Sequence, residues 1–419
     1  MKNIYFDHSA TTPVDKEVLK VMTPYFTKNF GNSSSIHSFG QLALEGVDIA
    51  REQCANFLNC KTNEIIFTSG ATESNNLAIK GLIKALRDKG LEKPHIISSL
   101  VEHDAVLEPL MELKQDGVEV DYLGVQSNGV VDLKKLKSLI KENTVLVSIM
   151  WVNSEVGALM PIREIAKTIS KINEKRLRDW NNIRPRDRGE KPQKIYFHTD
   201  ATQAANFYSL DVDWNYIDLL SMSAHKIYGP KGVGLLYRRE GVPISGLQRG
   251  GHQEGNYRSG TLNVPGIVGL GKAVELLGPV KRGERESIIQ RKNNKYIKNL
   301  RDKLAKGILK KIPDVVLNTD LENSTPSHAH FSFLGCEGES SLISLDLEGV
   351  AVSSGSACAS SSLQASHVLI AMGIKIEIAH NSIRFSLGKN NTLDEITYLL
   401  KVLPPIIARI RKINPLYNK

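Results

Sequence analysis

Cysteine is scarce in this 419-residue chain, which holds four: Cys54, Cys60, Cys336 and Cys358. Their spacing makes neither a disulfide framework nor a CxxC metal knuckle, so free thiols in a reducing compartment are expected. Long apolar runs are also missing. No stretch of eighteen apolar residues occurs, which excludes a helical membrane span. The opening "MKNIYFDHSATTP" passes from a short strand-like run into polar residues and lacks the apolar core of a secretory signal, so a cytoplasmic protein without membrane contact is expected. No internal repeat or low-complexity tract is evident. A composition of 41% hydrophobic and 24% charged residues rules out a disordered chain and leaves a globular one, long enough for two units around an extensive core.

Acidic charge is in deficit, and the formal charge is +9. The excess is concentrated: residues 171–194 carry nine Lys/Arg against four Asp/Glu, and residues 281–311 carry twelve against three. A solvated helix face plus a basic loop is the favoured reading, ahead of direct nucleic-acid binding.

From residue 64 to 238, short β-branched runs alternate with helical patterns. The predicted strands are "EIIF", "HIIS", "TVLVSIMWV", "KIYFH", "YIDLLSMS" and "GVGLLYRR". Such alternation predicts an α/β fold, a mostly parallel sheet flanked by helices, with ligands gathering beyond the carboxyl ends of the strands. The polar oddities do follow those runs: "TSGATESNN", "SLVEHDA", "NSEVG", "HTDATQ" and "SAHKIYGPKG". One segment, about 172–193, is rich in Arg, Asn and Pro and reads as a surface insertion. From about 270 onward a smaller α+β unit is expected. The full division is a large unit over 16–265 and a small one made of 1–15 and 266–419.

Lys226 follows an apolar strand, where partial desolvation suits a lysine for Schiff-base chemistry; alone it reads far more commonly as a solvated surface charge. Asp200 stands one β-α-β step earlier, where a carboxylate can pair with a protonated pyridine nitrogen and make pyridoxal phosphate an electron sink, or can simply cap a helix. Gly70 turns the chain into a helix beginning near Glu73, and free amides with the helix dipole make such a turn a phosphate cradle, although a lone Gly turn is commonly structural. His103, in a loop after "HIISS", offers a ring for stacking and proton exchange near neutrality; a single loop histidine usually does neither.

Taken together, "TSGATESNN", "EHDAV", "VNSEVG", "HTDATQAA", "SAHKIYGPKG", "RSGTLNVPG" and "SSGSACASSSL" followed by "SIRFSLG" resemble, in order and spacing, the NifS/IscS-type cysteine desulfurases of fold-type I, class V pyridoxal-phosphate enzymes. The resemblance covers nearly the whole chain apart from the basic insertion. It implies pyridoxal 5′-phosphate as cofactor and Lys226 as the lysine that carries it. Ser223, His225, Ala71 and Thr72 match residues near the phosphate, and Thr261 matches a threonine reaching the phosphate of a neighbouring subunit, hence a homodimer. Asp200 matches the pyridine-nitrogen partner, Asn153 and Gln203 side chains near the ring hydroxyl, and His103 the stacked imidazole. Arg384 matches the arginine on the substrate carboxylate, with Asn32 assisting.

Cys358, among small residues, matches the cysteine that takes sulfur from L-cysteine as a persulfide, leaving L-alanine. No resident metal is implied; that persulfide would be at most a transient iron–sulfur ligand. The implied partners are L-cysteine and a sulfur-acceptor protein, either an iron–sulfur scaffold or a carrier for tRNA thiolation. Cys54, Cys60 and Cys336 read as packing residues. The chain departs from the pattern at Ser154, His252, Gly255 and Leu262, the last two unsettling the surface around Thr261. Selenocysteine lyase or another class V activity is the alternative enzyme, and a basic RNA-binding scaffold on the same fold the remote one.

Overall fold

The computed structural model describes residues 3–184, 189, 191–354, 365–414 and 417. After a short strand β1 (Ile4–Tyr5) come helices α1 (Lys16–Met22), α2 (Pro24–Thr27) and α3 (Ser38–Leu58). The alternating segment is next: β2 (Ile65–Thr68), α4 (Ala71–Arg87), β3 (His95–Ser99), α5 (Asp104–Gln115), β4 (Glu119–Leu123), α6 (Leu133–Leu139), β5 (Thr144–Ser148), α7 (Ile162–Asn182), β6 (Tyr196–Asp200), β7 (Leu219–Ser223) and β8 (Gly234–Arg238).

Seven of these strands form one sheet in the order β2-β8-β7-β6-β5-β3-β4. Every neighbouring pair is parallel except those of β8, which runs antiparallel to β2 and β7. All six expected strands form. β4 is an addition: an acidic edge strand, "EVDYL", whose exposed side gave little apolar signal.

Successive strand residues point to opposite faces, and the core divides accordingly. Ile96, Leu146, Leu219 and Leu236 pack with α4 and α5. Ile97, Val147, Leu220 and Leu235 pack with α3, α7 and α8 (Val264–Glu275). The boundary expected at 265 thus falls inside α8, a continuous helix buried against the α3 side of the large core. The insertion is corrected too. Its first half is helix: α7 runs unbroken to Asn182 because Glu, Lys and Arg are strong helix formers on a solvated face. Asn173 ties that helix to the sheet, its amide bridging the N–H and C=O of Ile195.

The rest of the chain comprises α9 (Ile288–Lys311), β9 (Val315–Leu317), β10 (His328–Phe333), α10 (Gly338–Leu347), β11 (Val350–Ala351), α11 (His367–Ala371), α12 (Ile376–Ala379), β12 (Ser382–Ser386) and α13 (Leu393–Ile413). A three-stranded sheet, β12-β10-β9, and a parallel pair, β1 with β11, organise it. The basic α9 has a solvated face, yet Arg301 is fully buried and donates to the carbonyls of Leu321 and Thr325. Among the described residues no helix is long and apolar enough to cross a membrane.

Candidate active site

Strand β7 ends at Ser223, and one 3-10 turn, Ala224–Lys226, carries the lysine out beyond the sheet. Lys226 Nζ donates to the carbonyls of Ser9 (2.5 Å) and Ala10 (2.8 Å). Gln203 Nε2 donates to the same Ser9 carbonyl at 2.9 Å. The N-terminal segment therefore forms one wall, and Thr12 fixes it by donating through N and Oγ1 to the carbonyl of His225. Burial, then the charges of Lys226 and Lys231, push the His225 imidazole down to about 4. It is therefore a neutral ring at physiological pH.

Facing this wall is the start of α4, which begins at Ala71, two residues before the expected Glu73. Its N-cap is Gly70, with φ 156° and ψ −179° and no side-chain cap. That conformation is essentially confined to glycine. The first-turn amides of a helix have no partner within it, so those of Ala71 and Thr72 are left for a ligand. A Cβ at Gly70 would stand 3.7 Å from Ser223 Oγ, inside the concavity that the two residues share.

Asp200, at the end of β6, is 7% exposed. Its Oδ1 accepts from the Thr202 amide (2.9 Å) and its Oδ2 from Asn75 Nδ2 (2.7 Å). Beneath it His198 is bonded to Ser148 and Ser221, and burial pushes its ring down to about 4. Asn75 lies outside the sequence-based set; its sign was a polar residue on an otherwise apolar face of α4.

The loop after β3 supplies Glu102 and His103. His103 caps α5 by accepting from Ala105 N–H at Nδ1 (3.0 Å), which in the neutral ring places the proton on Nε2. Glu102, unnoticed in the sequence, is 1% exposed and accepts from Ser99 Oγ and Met150 N. Burial pushes its carboxyl up to about 8, against the pull of those hydrogen bonds and with a further push from Asp200. Arg384, on β12, completes the ring: Nη2 donates to Asp7 Oδ1 (2.7 Å) and Nη1 to the Ser154 carbonyl (3.0 Å).

Ser9, Gly70, Glu102, His103, Asp200, Lys226 and Arg384 border one cavity of 1030 Å³. Of the expected residues, Ala71, Thr72, His103, Asp200 and Gln203 line it, as do Ser223, His225, Lys226 and Arg384. Three do not. Asn153 is turned inward, its Oδ1 accepting from the amides of Glu155 and Val156 and its Nδ2 donating to Val101 O; it braces the turn that presents Ser154 and Glu155. Asn32 is exposed and accepts from its own turn at Ser34 N. Thr261 is exposed on the surface. Cys358 lies outside the described residues. Cys54, Cys60 and Cys336 are free thiols, and burial pushes all three up, Cys54 to about 12.

The profile of the class-V aminotransferases matches residues 4–177 and 187–399. The chain belongs to that family. Among its relatives, the cysteine desulfurase IscS of Dictyoglomus turgidum is 46% identical over 414 residues, covering 99% of this chain and 97% of the relative. That of Methanosarcina thermophila is 45% identical over 418 residues, covering 100% and 95%. A solved NifS-like protein superposes with a TM-score of 0.84 at 36% identity, covering 97% of this chain and all of its own. The family profile passes over 178–186, the outer end of α7 and the few residues after it.

Pyridoxal 5′-phosphate is the cofactor of this family. The cavity fits it on three counts: uncapped helix amides beside a glycine whose missing Cβ leaves room, a buried carboxylate held by two donors, and a lysine amine at the same cavity wall.

Proposed function

We propose that this class-V enzyme is a cysteine desulfurase that converts L-cysteine to L-alanine and takes the sulfur onto Cys358 for delivery to iron–sulfur cluster assembly. The meeting of Lys226, Asp200, the open end of α4 and Arg384 in one cavity carries this reading. The relatives' shared name, cysteine desulfurase IscS, supports it. So does the likeness to SspA solved in complex with cysteine, at 34% identity and a TM-score of 0.75, covering 93% of this chain and all of its own.

When bound, pyridoxal phosphate withdraws electron density from the substrate's α-carbon and so opens the sulfur to nucleophilic attack. The Ala71 and Thr72 amides, Ser223 and His225 would hold its phosphate, and Asp200, kept in place by Asn75 and Thr202, its ring nitrogen. Lys226 is the covalent anchor and the base for the α-proton. Arg384 grips the α-carboxylate. Cys358, deprotonated with His103 as acceptor, forms the new S–S bond as the substrate's C–S bond breaks. The released pair is protonated at carbon, so L-cysteine and one thiol become L-alanine and one persulfide without an external oxidant.

The same reading pairs two copies. Phe30, Ile36, Phe39, Leu42 and Ile49 are exposed over the loop into α3 and that helix itself, Ile36 by 95%, and an apolar surface of that extent suits a subunit contact. In such a pair Thr261 would serve the neighbour's site. The large and small units, one bearing the cofactor and the other the thiol, belong to this proposal as well.

Purified holoenzyme given L-cysteine and a reductant is expected to release sulfide and alanine in equal amounts. Lys226→Ala should lower turnover by about 10²–10⁴-fold, and Cys358→Ser should keep the yellow cofactor band while forming no persulfide. A wild-type protein that makes no alanine, or a Cys358→Ser variant with undiminished persulfide, overturns the reading. Capture of partners by the persulfidated chain separates a cluster scaffold from a carrier for tRNA thiolation.

A further inference from the structure

Strands β10 and β12 are antiparallel, and His330 stands directly opposite Arg384. Opposed residues rise from the same face of such a pair within contact distance. His330 is fully buried and is not among the residues that line the cavity. Burial, then the charge of Arg384, push its ring down to about 3, so it is neutral.

Three buried polar atoms around this pair have no hydrogen-bond partner among the described residues: Asn318 Oδ1, His330 Nε2 and Arg384 Nε. Leaving a donor on a buried guanidinium unmet is costly. Asn318 Nδ2 lies 3.0 Å from His330 Nδ1 and 2.9 Å from Ser332 Oγ. The two ends of an amide are nearly alike in shape. With those ends exchanged, Oδ1 accepts from His330 Nδ1–H and from the Ser332 hydroxyl. The ring proton is then fixed on Nδ1, and Nε2 becomes an acceptor suited to Arg384 Nε–H through one enclosed water. Nearby His328 shows a fully satisfied counterpart: its Nδ1 meets the Thr325 and Ser327 hydroxyls, and its Nε2 donates to the Ser154 carbonyl that also holds Arg384 Nη1.

We propose that His330 is a positioning residue which, by engaging Arg384 Nε, fixes the guanidinium in the orientation that receives the substrate's α-carboxylate. The inference rests on the desulfurase reading of the same cavity. Asp7 takes one N–H of Nη2 and Ser154 one of Nη1. With Nε also taken, one N–H remains on each Nη, which is the end-on fork for a carboxylate, and the side-on grip is excluded. The sequence sign is the alternation within "HAHFSF", two histidines and a serine on one face with alanine and phenylalanines on the other.

His330→Phe keeps the ring's bulk and removes both nitrogens. It should raise KM for L-cysteine roughly ten-fold with kcat within about two-fold. Inhibition by L-alanine should weaken in parallel, while inhibition by cysteamine, which lacks the carboxylate, stays unchanged. His330→Gln puts an amide where Nε2 stands and should return KM to within about three-fold of wild type; His330→Asn, mimicking Nδ1, should not. A wild-type KM in the Phe variant, or equal loss of alanine and cysteamine binding, overturns the role. If the Phe variant does not fold, the Gln and Asn variants decide: equal KM values sink it. Wild-type protein that makes no alanine defeats the functional reading instead, which separates the two failures.

Discussion

Glu102, in the cavity wall, has a carboxyl shifted far from its ordinary value. Its carboxyl goes from about 4.5 to about 8 on burial, so the folded protein holds a proton that the unfolded chain gives up. Stability is therefore full below the ordinary carboxyl value and falls as pH climbs toward 8. Glu102→Gln, neutral throughout, should gain on wild type across that window by up to about 1.4 kcal/mol per pH unit, read from urea midpoints at successive pH values. Parallel curves for the two proteins would show that Glu102 carries no extra proton. The roles of this residue, Asn75 and His330 could not be read from local sequence, for a shared reason. A polar side chain declares itself buried only through partners that fold in from afar, as Asp200 does for Asn75 and the paired strand β12 for His330. Lys226, Asp200 and the Gly70 turn were legible because each follows a strand end, and strand ends are written locally.

Among the elements, α4 depends most on one backbone position. Gly70→Ala forces a side chain into a conformation that L residues avoid, at about 1–3 kcal/mol, and places a methyl at the mouth of the phosphate cradle. A lower melting temperature together with weaker binding in a pyridoxal-phosphate titration is expected; unchanged binding would show that the cradle lies elsewhere. Helix α7 gives the opposite case. Excising 178–186, the stretch outside the family profile, should leave sulfide production within about two-fold, whereas cutting back through Asn173 removes the clamp on Ile195. The sequence hid this distinction because Arg- and Asn-rich composition describes solvent exposure, which an outer helix and a loop have in common. The β4 edge was hidden likewise, by alternation that is polar on its open side.

At the scale of the whole molecule, the exposed apolar surface around Phe30, Ile36 and Phe39 is the feature a lone subunit leaves unexplained. Sedimentation is expected to give twice the 46.4 kDa chain mass, and Phe39→Asp should shift it toward one chain and reduce activity, since each Thr261 would then lack a neighbour to serve. A monomeric, fully active wild type would remove the dimer from the proposal. Fold class was readable from the alternation of runs alone. The meeting of the two units was not, because it runs through contacts such as that between Ser154 and Arg384, 230 residues apart.

That long tie has a consequence for how the protein is made. Asp7, which also holds the Arg384 guanidinium, leaves the ribosome 377 residues before it. Until β12 emerges, the amino-terminal wall can meet Gln203, His225 and Lys226 but lacks the Arg384 side of the cavity. The vitamin pocket can therefore be sealed only after β12 has emerged, and nascent chains stalled before β12 should release pyridoxal phosphate that longer ones retain.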